Sequence, residues 1–166
     1  MEDECKINII SKDGIYFAID IKSAQRSGLL KNIITDYDTK ESITIEEVNG
    51  NILKLILDYL VHYRDTEPRV IPRPLPTSNL LDVTDKWDVD FINLDKSILF
   101  ELIIACNFMD VIGLLELSSS KIASIMKNMD SETIKREFAI PEDMTKEEQE
   151  KMEEEELGEY QEQLIN

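Results

Sequence analysis

The chain has 166 residues, 42% of them hydrophobic, which is enough for a sizeable core in one domain or in a small domain with an extension. Its 18 basic and 35 acidic side chains leave a formal net charge of −17. That balance argues against nucleic acid and against anionic membrane as partners, because both are held by neutralising phosphate with Lys and Arg. No apolar run approaches the roughly 20 residues of a membrane span, and Met1-Glu2-Asp3-Glu4 is acidic where a secretion signal is basic, so a location in the cytoplasm and nucleus is expected. Cys5 and Cys106 have no Cys-x-x-Cys or Cys/His spacing, which argues against both a disulfide framework and zinc.

The first element is a hairpin. Lys6 to Ile10 and Ile15 to Ile19 are β-branched and apolar, and Ser11-Lys12-Asp13-Gly14 between them carries the Asp-Gly turn signal. Leu29, Leu30, Ile33 and Ile34 then predict a short amphipathic helix ending near Asp36, followed by a brief Ile43-Thr44-Ile45 strand. Asn49 is placed to cap a second helix, in which Ile52, Leu55, Ile56, Tyr59, Leu60 and Tyr63 recur at helical steps. Four of the five prolines fall between Pro68 and Pro76, and this stretch reads as an extended linker, without the PxxP spacing of a docking ligand.

Beyond the linker the pattern is helical. A short segment around Trp87 to Phe91 precedes Asp95, a natural N-cap for Lys96 to Phe108, whose apolar residues nearly encircle the helix and predict a central, buried position. Asp110 is positioned to start another helix carrying Leu114, Leu115, Leu117, Ile122, Ile125 and Met126, and Asp130 a shorter one with Ile134 and Phe138. Thr145 and Glu148 form a capping box that would open a last helix toward residue 160. The charge concentrates there: residues 141 to 166 hold 11 acidic side chains against Lys146 and Lys151, a net of −9.

Chemistry-bearing constellations are missing. His62 is the single histidine, near the end of the second helix, where it can simply meet free carbonyls, and no nucleophile is motif-linked to it. The five glycines never approach the spacing of a phosphate-cradling loop. Asp88-Val89-Asp90 begins like a calcium loop but then offers Ile92, Asn93 and Leu99 where oxygen, glycine and glutamate are required. No catalytic residue, cofactor or metal site is expected.

Three segments carry a family pattern: Trp87-Asp88-Val89-Asp90-Phe91, Leu99-Phe100-Glu101-Leu102-Ile103, and Asn107-Phe108-Met109-Asp110-Val111-Ile112-Gly113-Leu114-Leu115. In this order and spacing they resemble the Skp family, the S-phase kinase-associated adaptors of SCF ubiquitin ligases. The resemblance runs backward through the hairpin and forward through Ile134 to Ile140 and Thr145 to Glu148, covering nearly the whole chain to about residue 152. It implies an α+β BTB/POZ fold, a small three-stranded sheet with helices, over residues 1–126 with the proline-containing linker at 65–80. It also implies a C-terminal helical extension with an acidic tail, 127–166, that binds the F-box. The function implied is bridging: an adaptor subunit of an SCF E3 ubiquitin ligase that joins a cullin, with the RING subunit reached through the cullin, to F-box proteins. No reaction occurs on such an adaptor.

The resemblance also assigns residues. Asn107 and Phe108 fall at the family's Asn-aromatic pair at the cullin interface, usually Asn-Tyr, so the ring is kept and the hydroxyl lost; a phenylalanine ending a buried helix is, read alone, a core residue. Leu115, Ile122, Ile125, Ile134, Phe138 and Ile140 match apolar positions of the F-box-binding helices. Relatives carry a Trp in the last helix where this chain has Gly158, and Leu157 and Tyr160 are the residues left to replace its grip. The alternative is an elongin-C-like adaptor or a self-associating POZ scaffold with no F-box partner, and the Skp-like pattern continuing past residue 110 counts against the first. Weak homodimerisation of the unpartnered chain is a further expectation.

Overall fold

A computed structural model describes residues 6–36 and 42–138. Two compact units are distinguished, Met1–Asn128 and Met129–Asn166.

In the first unit, strand β1 (Lys6–Ser11) turns through Lys12 to Ile15 into β2 (Tyr16–Asp20). Ile7 and Ile9 face inward by the two-residue period, and Gly14 takes φ +77°, which a side-chain-bearing residue adopts only with strain. The strands pair antiparallel with Ile7 opposite Ile19 and Ile9 opposite Phe17. Helices α1 (Ile21–Ala24) and α2 (Gly28–Asp36) follow, and β3 (Ile43–Ile45) returns parallel to β1, giving the order β2-β1-β3. Helix α2 is the helix predicted to end near Asp36, and the single turn of α1 precedes it, separated by Gln25 to Ser27.

Helix α3 (Gly50–His62) buries Ile52, Leu53, Ile56 and Leu60. Asn49 occupies its N-cap position but makes no side-chain capping bond. Asp13 of the hairpin turn takes that role: its Oδ1 accepts from Gly50 N at 2.7 Å and from Ser11 Oγ at 2.6 Å. The bond ties the turn to the start of α3 across 37 positions of sequence.

Residues 63–79 contain neither helix nor strand, as the prolines require, yet they are no free spacer. Ile71 is buried, Ser124 Oγ donates to Ser78 O at 2.6 Å, Lys127 Nζ donates to Leu75 O at 2.8 Å, and Arg73 donates to Glu116 at 2.7 Å. A 3-10 turn at Leu80–Asp82 leads into α4 (Lys86–Phe91). The buried carboxylate of Asp88 accepts from Tyr63 Oη at 2.7 Å and from Thr84 Oγ1 at 2.5 Å, so its charge is met by two hydroxyls. His62 stacks on Trp87 with ring centroids 3.5 Å apart, in place of the helix-end interaction with carbonyls expected from sequence.

Helix α5 (Lys96–Phe108) and helix α6 (Ile112–Met126) pack against each other and against the core. Asp95 stands at the N-cap of α5 without a side-chain bond. Asp110 does not start α6, as its sequence context suggested: it has φ +53° in the turn between the helices, and Val111 holds the cap position. This elbow is fastened to the opening of α2, where Gly28 N donates to Asp110 O at 3.0 Å and Ser27 Oγ donates to Met109 O at 2.5 Å.

In the second unit, α7 (Ser131–Glu137) is capped by Asp130, whose Oδ1 accepts from Thr133 N at 2.9 Å. The expected last helix opened by Thr145 lies outside the described residues.

Candidate functional site

Helix α5 is not wrapped on all sides. Leu99, Leu102, Ala105 and Cys106 are buried, while Phe100, Ile104 and Phe108, four residues apart, share the opposite face. Their exposures are 42%, 71% and 43%, and Ile112, the first residue of α6, is 55% exposed. An apolar helix all round is therefore split between a core face and an open one. The core already has its Leu, Ala and Cys partners from α5, and Ile104, Phe108 and Ile112 stay exposed beside them. On a chain of charge −17, a contiguous apolar stripe points to a protein partner.

Beside Ile104 lies a shallow depression of about 220 Å³, lined by Glu47, Val48, Asn49, Ile52, Glu101 and Ala105. Glu47 and Glu101 give its rim a negative charge, which suits a docked segment with apolar anchors and basic flanks. Asn107 and Phe108 both stand exposed at the end of α5, so the core placement of Phe108 does not hold. Phe100, Ile104 and Ile112 were not singled out from sequence. The available signal was the near absence of a polar face on α5, which reads equally as deep burial or as a surface awaiting a partner.

The second set of expected contact residues is distributed differently. Leu115, Ile122 and Ile125 are half-buried on α6 and pack against the edge of the core. Leu115 also lines a groove between α6 and the proline segment, with Pro72, Leu75, Ser119 and Ala123. Ile134 of α7 and Phe138 at its C-cap are one turn apart, and Phe138 N donates to Ile134 O at 3.0 Å. Ile140, Leu157 and Tyr160 lie outside the described residues.

Among the described residues, no group of three or more His, Cys, Asp or Glu side chains is arranged to hold a metal, and no helix is long and apolar enough to cross a membrane. Cys106 is fully buried and its thiol is pushed up to about 12 by that burial, so it packs as a small hydrophobe. The phenols of Tyr59 and Tyr63 are also raised, chiefly by burial, and remain protonated donors.

Residues 5–65 match the Skp1 family, tetramerisation domain, and residues 112–156 match the Skp1 family, dimerisation domain. The S-phase kinase-associated protein 1 homolog of Tetrahymena thermophila is 36% identical over 151 residues, covering 90% of this chain and 91% of that protein. The E3 ubiquitin ligase complex SCF subunit sconC of Arthroderma otae is 32% identical over 148 residues, covering 89% and 90%. The protein of the same name in Aspergillus terreus is 33% identical over 143 residues, covering 86% and 88%.

Proposed function

The chain belongs to the Skp1 family, and on that premise we propose that it is the adaptor subunit of an SCF ubiquitin ligase, bridging a cullin to F-box substrate receptors. The observation that carries the reading is the run of exposed apolar residues Ile104, Phe108 and Ile112 on a chain of net charge −17. The cullin's N-terminal part docks there, with Asn107 and Phe108 in the contact. The POZ-type region, residues 1–126, supplies this face, and the C-terminal region, 127–166, supplies the F-box contacts beyond those of α6.

On the receptor side, Leu115, Ile122 and Ile125 of α6 are already partly spent on the core, so they contribute a rim of contact area. Ile134, Phe138, Ile140, Leu157 and Tyr160 carry the remainder. The role requires no chemistry from this chain, only that one molecule hold two partners at once so that ubiquitin transferred at the cullin's RING end reaches a substrate at the F-box end. A reducing cytoplasm and nucleus fit a buried, unpaired Cys106.

The test is co-expression of the full chain with a tagged F-box domain and, separately, with a cullin N-terminal domain, followed by pull-down and sizing. The adaptor reading expects one-to-one complexes with each and a ternary complex with both. A folded chain that captures neither, and instead grows in size with its own concentration, would establish the self-associating scaffold.

A further inference from the structure

The proline segment and α6 form a groove of about 370 Å³ within the Met1–Asn128 unit. Pro72, Arg73 and Leu75 make one wall of it, and Leu115, Ser119 and Ala123 of α6 make the other.

The first wall is fixed by α6 itself. Prolines keep this segment out of helix and strand, so it has no hydrogen-bond ladder of its own, and side chains of the helix hold it instead. Glu116 accepts from Arg73 at 2.7 Å, Ser124 Oγ donates to Ser78 O at 2.6 Å, and Lys127 Nζ donates to Leu75 O at 2.8 Å. Ile71, 7% exposed, anchors the segment in the core. These ties reach from near the start of α6 to its C-cap, yet the space beside Leu115, Ser119 and Ala123 is left open. A wall in place before a partner arrives costs little ordering on binding.

The lining decides what kind of group fits. Arg73 and Glu116 pair with each other, and the rest of the surface is Pro72, Leu75, Leu115 and Ala123 with the serines 119 and 120. On a chain of charge −17 this is a neutral, largely apolar strip, and it favours an apolar side chain over a charged one. Its position on α6 decides whose side chain that is. Leu115, Ser119 and Ile122 recur at i, i+4 and i+7 and share one stripe of the helix. Leu115 and Ile122 on that stripe are only half-buried and are receptor contacts in the function proposed above. The groove is therefore continuous with the receptor face, and Pro72 and Leu75 extend that face beyond the helix.

We propose that the proline segment is part of the receptor-binding site, the groove seating an apolar side chain of the F-box protein between Pro72 and Leu75 on one side and Leu115 and Ala123 on the other. The inference rests on the reading of α6 as the receptor face and adds to it a wall that the helix alone does not supply. Because the wall grips one position, it discriminates among F-box proteins by whether an apolar residue stands there.

The experiment uses the full chain, titrated by calorimetry with an F-box domain and in parallel with a cullin N-terminal domain. Leu75→Ala lowers the wall, Leu75→Met keeps it, and Ala123→Phe fills the groove from an exposed position. Leu75→Ala is expected to weaken F-box binding about three- to tenfold and Ala123→Phe about tenfold or more, with Leu75→Met near wild type. Cullin affinity should be unchanged in all three, and melting temperatures should stay within a few degrees of wild type. Wild-type F-box affinity in both Leu75→Ala and Ala123→Phe would overturn the groove and leave the receptor reading standing. A folded wild-type chain that binds no F-box domain would remove the receptor reading and the groove with it. An effect of Ala123→Phe alone would confine the contact to α6 and overturn the role of the proline segment. Weakened binding of both partners by Leu75→Ala, with a lowered melting temperature, would assign Leu75 to folding and overturn the proposal. Unchanged F-box affinity with self-association lost in Ala123→Phe would seat a second copy in the groove and overturn it equally.

Discussion

Ile104 is the position at which docking and folding separate most cleanly. Removing an isoleucine side chain wholly from water is worth about 1.5–3 kcal/mol. With 71% of Ile104 still exposed, about 1–2 kcal/mol of that remains for a partner to collect. Ile104→Ala should therefore weaken the cullin complex roughly 5- to 30-fold. Ile104→Lys would strand an ammonium in the dry centre of the contact and should abolish binding at micromolar concentrations. The minority of the side chain already buried limits the cost to the fold to less than about 1 kcal/mol, so both variants should melt within a few degrees of wild type. Leu102, on the other face of the same helix and 0% exposed, is the contrast: Leu102→Ala should cost about 2–5 kcal/mol of stability through the cavity it leaves. Calorimetric titration with a cullin N-terminal domain, paired with thermal melts followed by circular dichroism, measures both quantities on the same samples. Wild-type affinity in Ile104→Lys, or a melting temperature depressed as far as that of Leu102→Ala, would refute the division of α5 into an inner and an outer face.

Other consequences concern the fold that presents this face. At Gly28 a Cβ would lie 1.8 Å from Asp110 Oδ2 and 2.9 Å from Asp110 Cβ, so rotating the carboxylate away does not relieve the clash and the elbow must move; Gly28→Ala should destabilise by about 1–3 kcal/mol, and Asp110→Gly should restore it in the double variant, read by melting temperature. Tyr63→Phe removes one of the two hydroxyls serving the buried Asp88 and should lower the urea midpoint by the equivalent of about 1.5–3 kcal/mol, whereas an unchanged midpoint would show that Thr84 alone suffices. The hydrogen bond from the Ser11 hydroxyl, with that from Gly50 N–H and against an opposing desolvation, holds the Asp13 carboxyl below its ordinary 3.8. A carboxyl so lowered stabilises the fold above its unfolded value and loses that contribution as pH falls through the folded one, so between pH 5 and 3 the wild type should lose melting temperature more steeply than Asp13→Asn, and parallel curves would exclude the linkage. Deleting residues 145–166 should remove F-box binding while leaving the cullin titration unchanged, checked by pull-down against both partners.

The elements whose neighbours in space are also neighbours in sequence were readable in advance. Asp13-Gly14 between two β-branched runs predicts the β1–β2 hairpin, and the recurrence of Ile52, Ile56, Tyr59 and Leu60 predicts α3, because turn chemistry and helical period are local properties. Asn49 looked like the cap of α3 for the same local reason, but Asp13 arrives from across the fold and takes Gly50 N, a juxtaposition that no spacing rule contains. Of the proposed contact residues, the Asn107-Phe108 pair is legible through its motif, whereas Ile104 and Ile112 are hidden by a real ambiguity. Periodicity reports that a side chain prefers to leave water, and it is silent on whether its own core or another protein receives it. Ile71 and Leu75 show the same limit in the proline segment: the prolines exclude helix, but nothing in their spacing reveals that the chain between them is fastened to α6.

The elbow between α5 and α6 is where these constraints meet the proposed function. An adaptor transmits the position of one partner to the other only as well as its own elements keep their angle. Here the angle is set by a single left-handed residue, Asp110, in a turn whose carbonyls at 109 and 110 are both claimed by the start of α2. The chain end of the stripe, Phe108, and the first proposed F-box contact on α6, Leu115, stand on either side of that turn. Loosening it by Gly28→Ala at temperatures where the fold survives should therefore weaken the ternary complex more than the product of the losses in the two binary complexes. Ternary assembly reduced only by that product would show that the elbow contributes stability to the fold and nothing to the bridge.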